Sequence, residues 1–118
     1  MVAQFIEQAR VRSPNECAAW GVWNQRTDSW KLLTLEERSV GTDHIEVNLP
    51  TLEEGEHRVM DLHSHGLHDA FFSREDNQDD RGETKIAGVI GNLDKPEMTA
   101  SFRLCANGVF LPLPFESP

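Results

Sequence analysis

His63-Ser64-His65, then seven residues, then Ser73-Arg74-Glu75-Asp76: this spacing constrains the fold more than any other stretch of the chain. On an extended strand side chains alternate, so two imidazoles one residue apart point to the same face and can share one ion. Asp76 stands eleven residues beyond His65. A turn that brings it back completes two nitrogens and one oxygen, with a fourth tetrahedral position left for water. Such a donor set suits metal-assisted hydrolysis. Neutral imidazole is a common ligand for zinc, so the expectation is one zinc ion per chain, held by His63, His65 and Asp76.

An isolated pair of histidines around a serine can equally be a loop that hydrogen-bonds its own backbone, and the flanking residues decide between the two. Arg58-Val59-Met60-Asp61-Leu62 has the composition of a short strand, and Gly66 opens a loop after the histidines. Ser73 precedes Asp76 by three residues, a capping pattern that opens a helix, with Asp in place of the more usual Glu or Gln. The donors therefore fall where a strand end, a loop and a helix start converge. Asp61 shares the strand parity of the histidines, which allows a hydrogen bond to a ligand ring. His68 and Asp69 lie in the loop, where they can tune access.

The remaining chain reads as alternating short elements. Val2, Phe5, Ile6 and Ala9 recur at helical spacing up to Arg12, before Ser13-Pro14-Asn15 breaks the run. Cys17 to Trp23 reads as a buried strand with Glu16 at its beginning, and Asn24 to Ser29 as a polar turn. Trp30 to Leu35 and His44 to Leu49 are the next two strands, expected to form a meander. Pro50 to Glu56 is a polar connection with room for one helical turn. Lys85 to Leu93 is an apolar strand, and Thr99 to Cys105 with Val109 to Leu113 form a hairpin around Asn107-Gly108. Trp20, Trp23 and Trp30 occupy strand positions expected to be core. Seven strands and two helices make a mixed α/β layer structure.

With 118 residues the chain fits one domain, residues 1–118, and six Phe and three Trp supply enough apolar bulk to fold without a structural metal. The formal net charge of −9 repels phosphate backbones and anionic lipids, which argues against nucleic acid or a membrane as partner. The acidic run Glu53-Glu54-Gly55-Glu56 reads as a solvated face, whereas Glu75 to Asp80 adjoins the proposed metal loop and can draw cations or a basic partner. Cys17 and Cys105 are far apart and form no C-x-x-C pair, so both are expected as small core residues. No leader-like or membrane-length apolar run is seen, and a soluble cytoplasmic protein is expected.

The stretch His63 to Asp76 resembles the motif of the JAMM, or MPN-plus, metalloproteases: a distant Glu, then H-S/T-H, seven residues, Ser, two residues and Asp. Ser13-Pro14-Asn15-Glu16 resembles the segment that carries the distant Glu in bacterial members, 47 residues before His63. The match departs where Cys17 follows the glutamate and Ala19 stands at a position commonly glycine. The resemblance implies a curved mixed β-sheet flanked by helices, a cytidine-deaminase-like α/β fold. It also implies that Glu16 is the general base and that the Ser73 hydroxyl donates to a developing oxyanion. Ser73 is not read as a nucleophile, because no His-Asp partner is arranged around it and the two motif histidines are committed to metal.

A narrower resemblance runs through Ala70-Phe71-Phe72-Ser73, Thr84 to Gly91 and Phe102 to Gly108, which look like the PRTRC system protein A group of bacterial JAMM proteins. It implies a ubiquitin-like protein or its conjugate as partner, in a system with a ThiF-like activating enzyme. The activity so implied is zinc-dependent cleavage of an amide or isopeptide bond at the C-terminus of such a protein. A non-catalytic module that binds a ubiquitin-like partner, and a hydrolase of a small amide conjugate, are the competing readings. The chain stops at Pro118 with no evident C-terminal helix of the kind family members often add, which leads to the expectation of a trimmed domain.

Overall fold

A computed structural model of the chain describes residues 1–40 and 45–114, with backbone alone for 36–40 and 45–48. The elements run α1 (Val2–Arg12), β1 (Ala18–Asn24), β2 (Ser29–Thr34), β3 (Glu36–Val40), β4 (Ile45–Asn48), β5 (Glu56–Ser64), α2 (Arg74–Asp80), β6 (Lys85–Gly91), β7 (Thr99–Ala106) and β8 (Val109–Leu113). Six of the strands form one sheet in the order β2-β1-β5-β6-β7-β8, in which β5 and β6 are parallel and the other neighbours antiparallel. The parallel pair needs a crossover, and the segment that supplies it contains the loop after His65 and helix α2.

Strand alternation sorts the residues onto two faces. Ala19, Leu62, Gly88 and Phe102 are in register across β1, β5, β6 and β7. They face α1, whose Phe5, Ile6 and Ala9 are buried against Ala19, Leu62, Ile90 and Phe102. Gly88 is needed there, because a Cβ would lie 2.4 Å from the Phe102 ring. The opposite face carries Ala18, His63 and Asp61 beside Lys85, Ala87 and Arg103. It is therefore the face on which α2 and the candidate site lie.

The α1 helix, the histidine strand, the Ser73 cap and the β7–β8 hairpin appear where the sequence pattern puts them. Asn107 and Gly108 have φ of 53° and 77°, the paired positive values of a tight hairpin turn. The expected meander is not found. Instead β2 is an edge strand on β1, while β4 pairs with β3 in a separate two-stranded ribbon. Strand β3 was not expected, since Glu-Glu-Arg-Ser-Val lacks apolar alternation, although its partner β4 is the next element of the chain. Of the expected strand His44 to Leu49, Ile45–Asn48 is β4, and His44 lies outside the described residues.

Pro50 to Glu56 contains a turn at residues 54–55 and no helical turn. Trp20 is buried as expected, but Trp30 is 52% exposed, because it lies at the start of the edge strand β2. Both cysteines are buried, and neither is in a disulfide. Among the described residues no helix is long and apolar enough to cross a membrane.

Candidate metal centre

His63 sits near the end of β5, and His65 lies just past it, its N–H still donating to the Ile90 carbonyl at 2.8 Å. That bond prolongs the extended course of the strand and turns both rings to one side. Their Nε2 atoms are 3.2 Å apart. The following loop is held tight: Gly66 has φ +59°, and a Cβ on it would lie 2.3 Å from the Pro14 carbonyl oxygen. Only glycine fits both the backbone angle and the approach.

The loop delivers Asp76 to the histidines through a complete capping box. Ser73 Oγ accepts the Asp76 N–H at 3.1 Å, and Asp76 Oδ2 accepts the Ser73 N–H at 2.8 Å. The same Oδ2 lies 3.4 Å from His63 Nε2. One donor atom from each of His63, His65 and Asp76 falls within 4.8 Å of the other two.

This geometry can be tested against zinc. Ligands about 2.0–2.1 Å from a tetrahedral zinc lie about 3.3–3.4 Å from one another. The Nε2–Nε2 and Nε2–Oδ2 separations, 3.2 and 3.4 Å, match that edge length. The tautomer matches as well: His65 Nδ1 lies 3.0 Å from the Asp69 carbonyl, which can only accept, so Nδ1 carries the proton and Nε2 presents its lone pair. The donor set fits a zinc ion.

The electrostatics of the two rings differ. Burial disfavours the charged form of His63, but the Asp76 carboxylate more than offsets it and raises the ring's pKa. Burial and the neighbouring His63 hold His65 below its ordinary value, which keeps that ring neutral. Asp76 is partly buried, yet its contacts with His63 and Ser73 keep it well below the usual carboxylate range.

Glu16 is 8% exposed and lines the same cleft as the three donors. What brings it there is the middle residue of the histidine motif. Ser64 Oγ accepts the Cys17 N–H at 3.0 Å, and the Ser64 N–H donates to the Cys17 carbonyl at 2.9 Å. Ser64 was given no role on sequence grounds; its signal is a small hydroxyl at a position that strand alternation turns away from the histidines.

The cleft has a volume of about 1020 Å³. Phe71 borders it, 53% exposed, with its ring edge-on to His65 at 4.7 Å between centroids. His68 lies at the same border and is exposed, and its neighbour Asp69 acts through its carbonyl on His65.

Asp61 does not reach a ligand ring. Its Oδ2 accepts from Lys85 Nζ at 2.7 Å, because Lys85 on the adjacent strand is the nearer and charged donor. The acidic run is likewise not wholly solvated, since Asp80 is 6% exposed and paired with Lys85 and Arg103.

A family profile described as prokaryotic homologs of the JAB domain matches residues 1–105. No curated protein sequence matches the chain. Among solved structures, protein DSY2949 from Desulfitobacterium hafniense is similar at a TM-score of 0.66 and 16% identity, over 95% of this chain and 84% of that one. That likeness concerns the fold. The profile spans α1 to β7 and takes in every residue of the candidate centre, and the chain belongs to the family of prokaryotic JAB-domain homologs.

Proposed function

We propose that this protein is a zinc-dependent hydrolase of the JAMM type, which uses an activated water to cut an amide or isopeptide bond at the C-terminus of a ubiquitin-like protein. The observation that carries the reading is that the separations of His63 Nε2 from His65 Nε2 and from Asp76 Oδ2 match the edges of a zinc tetrahedron, in a cleft that also holds Glu16. A bound zinc ion supplies Lewis-acid polarisation of a carbonyl and acidifies a water.

The chain's own residues do the rest. His63 and His65 hold the ion through Nε2 and Asp76 through its carboxylate. Glu16 takes a proton from the attacking water and returns it to the leaving nitrogen. The Ser73 oxygen already accepts the Asp76 N–H, so its O–H is free to donate to an oxygen that gains negative charge. No acyl-enzyme forms, since both nearby imidazoles are committed to the ion.

A cleft of about 1020 Å³, at the upper end of the roughly 300–1,000 Å³ of small-ligand pockets, has room for an extended chain terminus. The PRTRC resemblance supports a ubiquitin-like partner and a ThiF-like activating enzyme in the same system. The JAB family includes members without catalysis, but the joint presence of Glu16, His63, His65, Ser73 and Asp76 supports the hydrolytic reading.

The test is elemental analysis combined with turnover of a ubiquitin-like protein fused at its C-terminus to a reporter. About one zinc per chain and measurable cleavage are expected, and both should be lost in the His63→Ala, His65→Ala double variant. Zinc retained undiminished by that variant refutes the assignment.

A further inference from the structure

Helix α2, Arg74-Glu75-Asp76-Asn77-Gln78-Asp79-Asp80, contains no apolar residue. Two turns of helix do not hold together in water unaided, and in folded proteins an apolar stripe packed on the core normally supplies the stability. Here another device takes its place. Asp80, the last residue of the helix, accepts from Lys85 Nζ through one oxygen and from an Arg103 terminal nitrogen through the other, each at 2.7 Å. The second terminal nitrogen of Arg103 donates to Asn77 Oδ1 at 2.7 Å. The guanidinium plane lies over the Phe72 ring at 3.7 Å and the Phe110 ring at 4.0 Å. Arg103, on β7, thus grips the helix at its middle and at its C-terminal end.

Lys85 continues the connection. Its Nζ donates to Asp61 Oδ2 at 2.7 Å on β5, two residues before His63. Arg103, Asp80, Lys85 and Asp61 therefore form one run of charge-assisted bonds from β7 through α2 and β6 to the histidine strand. Asp76 lies one helical turn before Asp80. We infer that Arg103, Asp80 and Lys85 are positioning residues that set the Asp76 carboxylate against the two histidine rings and thereby set the affinity for zinc.

The inference rests on the metal centre proposed above. A direct role for Lys85 toward substrate fits less well, because its three N–H groups face Asp61, Asp80 and, at 3.4 Å, Glu83. Arginine suits position 103 because the planar fork spans Asn77 and Asp80 while its faces stack on two rings; lysine can do neither.

The test measures zinc affinity by competition with a chromophoric chelator, with circular dichroism to verify folding. Arg103→Lys and Asp80→Asn should each weaken zinc roughly 10–100-fold, the usual effect of losing a group that orients a ligand, while about one zinc per chain still binds at saturation. In an Asp76→Ala background Arg103→Lys should have less than about a twofold further effect, since the carboxylate it positions is gone. Should Arg103→Lys not fold, Asp80→Asn is read in both backgrounds by the same criteria. Affinity within about twofold of the wild type, or a full additional loss in the Asp76→Ala background, overturns the inference while leaving the metal centre intact. Unchanged zinc affinity in Asp76→Ala alone overturns the centre itself, and the inference with it.

Discussion

Ser64 and Cys17, 47 residues apart, are joined by two hydrogen bonds: the Ser64 hydroxyl accepts the Cys17 N–H at 3.0 Å, and the Ser64 N–H donates to the Cys17 carbonyl at 2.9 Å. Both residues are essentially inaccessible. The serine between the two histidines therefore fastens the segment that carries Glu16 to the strand that carries the rings. Ser64→Ala removes the acceptor of a buried N–H and should cost about 1–3 kcal/mol in urea unfolding. Turnover should fall further than zinc binding, because Glu16 is displaced while the histidines stay. Ser64→Thr keeps the hydroxyl and should recover most of both. Equal stability of wild type and Ser64→Ala would remove the fastening role.

Much of this arrangement is legible in the sequence wherever the governing rule is short-ranged. The two histidines share a face because strand parity requires it. Ser73 and Asp76 form a capping box because three residues separate them, and Asn107-Gly108 turns a hairpin because both accept positive φ. What could not be read depends on partners remote in sequence. The pairing of β1 with β5 is one case, and the exposure of Trp30 on an edge strand is another. The docking of a wholly polar helix by Lys85 and Arg103 is a third: an acidic run carries no mark that its last carboxylate is buried.

The larger apolar cluster lies on the face of the sheet opposite the candidate centre, where Phe5, Ile6 and Ala9 of α1 pack on Leu62, Ile90 and Phe102. Removal of the metal leaves that packing untouched. Chelation should abolish turnover with little change in far-ultraviolet circular dichroism, and added zinc should restore activity. Wholesale loss of the spectrum on chelation would make the ion structural.

Burial pushes the Lys85 ammonium down, but Asp61 and Asp80 outweigh it and leave the group above its ordinary 10.5. A raised value in the folded state means that the contribution is fully present below pH 10.5 and is lost as the pH climbs through the folded value. Lys85→Met should therefore cost about 3 kcal/mol, the lower end for a broken buried pair because Asp80 keeps Arg103. The difference from wild type should be flat between about pH 7 and 9 and shrink above 10.5. Urea unfolding at several pH values measures it. A difference that already collapses by about pH 9 would mean that the acids do not hold Lys85 charged.

Glu16 is proposed to move protons without holding the ion, which makes chemistry and metal binding separable. Glu16→Gln preserves the shape and a hydrogen-bonding amide, but an amide cannot accept the water's proton. Turnover should fall roughly 10²-fold or more. Zinc content should stay at that of the wild type, since His63, His65 and Asp76 remain. Binding of the fusion substrate should persist too, because the cleft rather than this carboxylate holds the chain terminus. Turnover, zinc stoichiometry and substrate affinity measured on the one variant separate the possibilities. Near-normal turnover removes Glu16 from the mechanism, lost zinc recasts it as a ligand, and lost substrate binding with normal zinc makes it a recognition group instead of a base.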